Sequence, residues 1–130
     1  MIVADSHVVL WLALAPVKLS KGAVETIRRC RERAEPLAIA ACTLYEFSLT
    51  VARNRIGTNL PLHQLIKELT ANFVILPITP EITVTAARLP DDFPRDPFDR
   101  MIAATAIVHG AHLITADEKI RKSNAISVVW

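Results

Sequence analysis

Residues 96–118 read DPFDRMIAATAIVHGAHLITADE, and this stretch decides the fold. Asp96 is a natural N-cap, and Pro97 suits the first turn of a helix, where its missing N–H costs nothing. The helix runs through Met101, Ile102, Ala106 and Ile107 until Gly110 stops it. His112-Leu113-Ile114-Thr115 is short and apolar enough for a buried strand, with Asp117 just past its carboxyl end. Ligands of open α/β sheets sit at such ends. The unit therefore carries two acidic points, Asp99 near the start of its helix and Asp117 beyond its strand.

Working outward, the same placement recurs twice. Asp5 follows the apolar opening 1–4, and Glu46 follows a second apolar run, 37–41, at the start of the next helix. If the sheet is parallel, these carboxylates converge on one edge. The remaining chain supports that condition. A short apolar helix or turn over 6–14 reads as buried in the core or in a subunit interface, and Ser20 caps a helix over 21–34. Thr43-Leu44-Tyr45-Glu46 has the capping-box pattern and opens a helix to about residue 55, followed by a turn at 57–61. Leu62, Leu65, Ile66 and Leu69 mark a further amphipathic helix. A strand at 73–76, a helix from Pro80 through Ile82, Ala86 and Leu89, a polar loop at 90–95 and an edge strand at 126–130 complete the chain. Alternation of this kind implies a parallel sheet with helices on both faces, hence a three-layer α/β domain.

Composition narrows the class. A chain of 130 residues has room for one domain with a proper core, so residues 1–130 are expected to form a single unit. The 52% hydrophobic content excludes a disordered chain, and 5% aromatics points to an aliphatic, alanine-rich interior. The net charge of +2 is mild, yet pooling acids at one edge leaves the other surfaces more basic, which suits a polyanion. Cys30 and Cys42 have neither metal-type spacing nor the number for a disulfide framework, so a reducing cytoplasm is expected. The apolar run 8–15 is far too short to span a bilayer.

Carboxylates crowded together resist ionising unless a cation compensates, and hard oxygen donors select Mg²⁺ or Mn²⁺ over zinc. One or two such ions can activate a water against a phosphodiester, so nuclease chemistry is the natural reading of Asp5, Glu46, Asp99 and Asp117. Structural readings stand beside it. Asp99 complements a helix dipole, Glu46 completes a capping box and Asp117 caps the next segment, whereas Asp5 has no capping pattern as clear. Ser6 and Thr115 could hydrogen-bond a bound water or orient the neighbouring acids. Arg28, Arg29, Arg31, Arg53 and Arg55 read either as phosphate contacts to a polyanion or as solvated surface. His7, His63, His109 and His112 lack ligand spacing, and no nucleophile has its His–Asp partners. With three glycines there is no phosphate-cradling loop.

The pieces Val3-Ala4-Asp5-Ser6-His7 with Leu10-Trp11-Leu12, Leu19-Ser20, Glu46, Leu76-Pro77-Ile78-Thr79, Arg95 to Arg100 with Ile102 to Ala106, and Leu113 to Asp117 resemble, in order, PIN-domain proteins of the VapC toxin type. The resemblance implies a three-layer α/β/α PIN-like fold around a mostly parallel twisted sheet of four to five strands. It also implies a metal-dependent endoribonuclease, the toxin of a toxin–antitoxin pair, dimeric and bound by a cognate antitoxin. The family's metal-binding acids map onto Asp5, Glu46, Asp99 and Asp117, with Mg²⁺ or Mn²⁺ as cofactor. Asp96 matches a further acid, kept as a cap or support, and Arg100 is expected to balance charge beside Asp99. Ser6 stands where relatives commonly carry threonine. The alternative is a PIN protein used mainly for dimerisation and antitoxin binding, or for general nucleic-acid processing.

Overall fold

The computed structural model describes residues 1–53 and 59–130. Five strands, β1 (Ile2–Ala4), β2 (Leu37–Ala40), β3 (Val74–Leu76), β4 (His112–Ile114) and β5 (Val128–Val129), form one sheet in the order β3-β2-β1-β4-β5. Every neighbouring pair is parallel. The helices are α1 (Ser6–Leu14), α2 (Lys21–Glu32), α3 (Cys42–Ala52), α4 (Leu62–Thr70), α5 (Pro80–Ala87), α6 (Pro97–Val108) and α7 (Glu118–Lys122), with a 3₁₀ turn at Pro16–Lys18. The expected parallel α/β/α sandwich is thus observed.

Side-chain alternation along the strands divides the core. Ile2, Ala4, Leu37, Ile39 and Ile114 point to one face, where they meet Val8, Val9, Ala23, Ile27, Phe47, Leu65 and Leu69. Val3, Ala38, Ala40 and Leu113 point to the other, against Phe93, Ile102, Ala103, Ala106 and Ile120. On that second face alanine meets alanine, so α6 lies close over the strands. Ala104 on its far side receives Ile82 and Ala86 of α5.

Several expectations shift in detail. The capping box at Thr43 does not form: α3 begins one residue earlier than Thr43, with Ala41 at the N-cap making no side-chain cap and its N–H donating to the Leu76 carbonyl at 2.9 Å. Helix α2 ends at Glu32 because Ala34 takes a left-handed conformation, φ 52°. Strand β3 starts at Val74 rather than Phe73 and, as a sheet edge, leaves Val74 and Ile75 exposed. The helix over 6–14 forms, with Val8 and Val9 buried but Leu14 exposed. Of the turn expected at 57–61, residues 57 and 58 lie outside the described residues, as does Arg55. No helix of the described residues is long and apolar enough to cross a membrane.

One close approach ties α2 to the far strand. A Cβ on Gly22 would stand 2.9 Å from the backbone oxygen of Trp130, an overlap that no flexible side chain can relieve. Alanine gains roughly 1 kcal/mol over glycine in a helix interior, but overpacking against backbone costs about 1–3 kcal/mol. Gly22→Ala is therefore expected to lower the melting temperature, and a rise would show that the two segments separate freely.

Candidate active site

Strand order fixes where the site lies. From β1 the chain moves outward to β2 and β3, then returns to the other side of β1 as β4, so the sheet's switch point falls between the carboxyl ends of β1 and β4. Asp5 leaves β1 at this seam and serves as N-cap of α1, its Oδ1 accepting the Ser6 N–H at 2.7 Å. Its Oδ2 accepts the Thr115 hydroxyl at 2.6 Å. The same Thr115 oxygen accepts the Asp117 N–H at 3.1 Å, so one threonine sets both acids. Asp117 in turn caps α7 through Oδ1, which accepts the Ile120 N–H at 2.9 Å. Among the described residues its other oxygen makes no bond of this kind. Asp5, Ser6 and Thr115 are all buried.

Asp96 caps α6, accepting from the N–H groups of Phe98 at 2.8 Å and Asp99 at 3.1 Å. Asp99, one turn in, is lifted from the ordinary aspartate range to about 7 by burial first, then by Asp5, Asp96, Asp117 and Glu46. That list of neighbours brings every acid expected from the sequence into one field. Glu46 is also raised, chiefly by burial and then by Asp5 and Asp96, while the nearby Ser6 hydroxyl favours its charged form. Since α3 starts before Thr43, Glu46 has no capping role and the structural reading of it fails. Asp5 and Asp117, by contrast, do cap helices and still leave the site acidic.

Among the described residues the buried Thr43 Oγ1 has no hydrogen-bond partner, and the buried Ser6 Oγ faces Glu46 without a bond of ordinary geometry. A buried hydroxyl set against half-buried carboxylates suits a hydrated hard cation. The Cys42 thiol, pushed up to about 11 by burial and then by Glu46, stays protonated and offers no soft ligand. Among the described residues no three His, Cys, Asp or Glu side chains already close around an ion. Like charges with nothing between them stand apart.

Three side chains belong to the site in ways the sequence did not single out. His7, weighed only as a metal ligand, accepts the Ala116 N–H at Nε2 (2.9 Å) and turns Nδ1 towards Asp5 Oδ2 at 3.6 Å. Its ring packs on Trp11, centroids 4.9 Å apart, and against Trp130. Arg95 and Lys119 line a cleft of about 480 Å³ together with Pro94, Asp96, Asp99, Asp117 and Glu118. Arg100 does not balance Asp99. Its guanidinium donates to the carbonyls of Ala86 (3.2 Å), Leu89, Pro90 and Phe93, at the end of α5 and in the loop that follows it.

The arginines expected along an RNA path lie elsewhere. Helix α2 starts beside Trp130 and ends where the chain enters β2, so its arginines fall towards the amino ends of the strands. Arg31 lines a hollow there with Pro36, Leu37, Phe73 and Val74. Arg28 is engaged by Glu25 and Glu32, and Arg29 by Glu25. Arg53 ends α3, a helix that starts at the carboxyl end of β2 and runs away from it.

This fold, with its acids at the switch point, is that of a PIN domain: the family model matches residues 2–125, and the chain belongs to that family. It is 38% identical to Ribonuclease VapC22 of Mycobacterium tuberculosis over 120 residues, which cover 92% of this chain and 89% of that protein. Among solved structures it resembles VapBC2 from Rickettsia felis bound to a DNA fragment from their promoter, with TM-score 0.75, 14% identity and coverage of 98% and 97%. FitAcB from Neisseria gonorrhoeae superposes with TM-score 0.71 at 22% identity, covering 98% and 96%.

Two outcomes follow from the electrostatics. Between an unfolded aspartate value near 3.9 and a folded value of about 7 for Asp99, the native state holds the extra proton, so stability falls as pH rises. Allowing for solvent screening of a half-exposed group, this is about 1 kcal/mol. The metal-free protein should thus melt a few degrees higher at pH 5.5 than at pH 8, and Asp99→Asn should flatten the difference; an unchanged slope would remove Asp99 from the field. Thr115→Val strips Asp5 of its buried donor, and a loss of about 1–3 kcal/mol in denaturant titration is expected.

Proposed function

We propose that the protein is a divalent-metal-dependent endoribonuclease, the toxin of a toxin–antitoxin pair, with its activity carried by the single domain 1–130. The observation that carries the reading is the raised Asp99, flanked by Asp5, Glu46, Asp96 and Asp117 at the switch point of the sheet. The 38% identity to a protein named as a ribonuclease supports the reaction class. Asp5, Glu46, Asp99 and Asp117 would hold one or two Mg²⁺ or Mn²⁺ ions. When bound, such a cation supplies charge compensation and polarisation of the reacting water and phosphate.

The chain's own residues prepare that event. Thr115 and the Ser6 backbone fix the Asp5 carboxylate, so its orientation does not depend on a ligand. His7, accepting the Ala116 N–H at Nε2 and turning Nδ1 towards Asp5, keeps the Ala116 turn against that carboxylate. Burial and neighbouring acids raise both Glu46 and Asp99 above the ordinary carboxylate range, so either is placed to accept a proton from an attacking water. Asp96 supports the arrangement by fixing the first turn of α6.

The partners are a cognate antitoxin and a second copy of this chain, in line with the toxin–antitoxin complexes among structures sharing the fold. Two free cysteines, Cys30 and Cys42, accord with a cytoplasmic setting.

The experiment is cleavage of structured RNA with Mg²⁺ or Mn²⁺ and with EDTA, comparing wild type with Glu46→Gln and Asp99→Asn. Chelator-sensitive cutting that drops about 10²-fold or more in both variants is expected. Cutting that survives both substitutions would end the assignment, and a metal-independent inert protein would favour the dimerisation and antitoxin-binding role. Titration of Mn²⁺ by calorimetry at pH 6.5, in buffers of different ionisation enthalpy, should also show proton release on binding, lost in Asp99→Asn.

A further inference from the structure

The nuclease reading leaves open which side chains receive the substrate's backbone. Sequence alone offers the arginines of α2, but these lie towards the amino edge of the sheet and three glutamate contacts already engage Arg28 and Arg29. The carboxyl edge carries a different pair. Arg95 and Lys119 line the same cleft as Asp99 and Asp117, approaching it from the loop before α6 and from the start of α7. Both are exposed. Neither forms an ion pair or side-chain hydrogen bond with any described residue, although Asp96 and Glu118 line the same cleft.

A structural role for these cations is poorly supported. Arg95 directly precedes the N-cap of α6, the positive end of a twelve-residue helix, where a cation gains nothing from the dipole. The pair therefore sits free beside an acidic cleft. Once the acids there are compensated, a phosphodiester in the cleft would meet both positive groups. Arg95 presents a planar fork that matches phosphate oxygens, and Lys119 a flexible point charge.

We propose that Arg95 and Lys119 are the phosphate contacts of this site, gripping the RNA backbone on either side of Asp99 and Asp117, and that the arginines of α2 take no part. The proposal rests on the ribonuclease reading. It places the substrate along the line from the loop before α6 to α7.

The test compares Arg95→Ala/Lys119→Ala with Arg28→Ala/Arg29→Ala, each in the Asp99→Asn background to prevent turnover. Binding of labelled structured RNA is followed by fluorescence anisotropy between 50 and 200 mM salt, taken as about that range. Loss of two contacts should weaken binding about tenfold and reduce the logarithmic salt slope by about 1.4, from roughly 0.7 per single-strand phosphate. The α2 variant should bind as the parent does. With Asp99 restored, Arg95→Ala/Lys119→Ala should raise KM far more than it lowers kcat, keep its Mn²⁺ affinity by calorimetry, and recover most RNA affinity as Arg95→Lys/Lys119→Arg. Parent-like RNA affinity and slope in Arg95→Ala/Lys119→Ala, or an equal loss in the α2 variant, would overturn the proposal. So would a loss of Mn²⁺ affinity, which would assign the two cations to the architecture of the acids. A wild-type protein that neither binds nor cuts RNA is a separate outcome, seen without any substitution, and it would sink the nuclease reading and this proposal together.

Discussion

A hydroxyl of one strand's end bonded to a carboxylate of another's holds this structure's active edge in register. Thr115 donates to Asp5 across the β1–β4 seam, and the two residues are 110 positions apart in sequence. The bond exists because parallel pairing sets Ala4 beside Ile114, which leaves the residues following each strand facing one another. Everything that fixes that register, from the Ile2–His112 pairing to the Thr115 N–H on the Val129 carbonyl, also fixes the acid. A buried carboxylate without a donor would be costly, so packing and chemistry constrain the same atoms.

Against that constraint the acids work in opposition. Asp5 is buried but supplied with two donors, whereas Asp99 combines burial with four acidic neighbours that raise it. The site is thus a mixture of satisfied and unsatisfied charge. It is the unsatisfied part that can bind something, since a fully hydrogen-bonded cluster would gain little from a cation.

The sequence carried the architecture well because period and position agreed. Short apolar runs ending in acids alternated with helical stripes, and Ser20 and Asp96 cap their helices as their residue types suggest. Local patterns failed where a long-range contact took precedence. The Thr43 box is void because the Ala41 N–H is committed to the Leu76 carbonyl at the end of β3, and α3 begins from that bond. The resemblance implied that Arg100 balances charge beside Asp99, but its guanidinium is taken up by the Ala86 carbonyl fourteen residues earlier and by those of the loop after α5. The α2 arginines were legible as a charged face and silent about which sheet edge they occupy. His7 carried no spacing signal at all, since its partners Ala116 and Asp5 meet only in the fold.

The alanine contacts beneath α6 have a further consequence for how such a protein can drift. Ala38 and Ala40 of β2 and Ala103 and Ala106 of α6 are fully buried, so the spacing between helix and sheet is set by single methyl groups. A larger residue at any of them would wedge the helix outward and carry Asp99, at its amino end, away from Asp5. Positions with no chemistry of their own therefore limit which substitutions a lineage can accept, and the distance between Asp99 and Asp5 can be retuned by volume alone while every acid in the sequence stays unchanged.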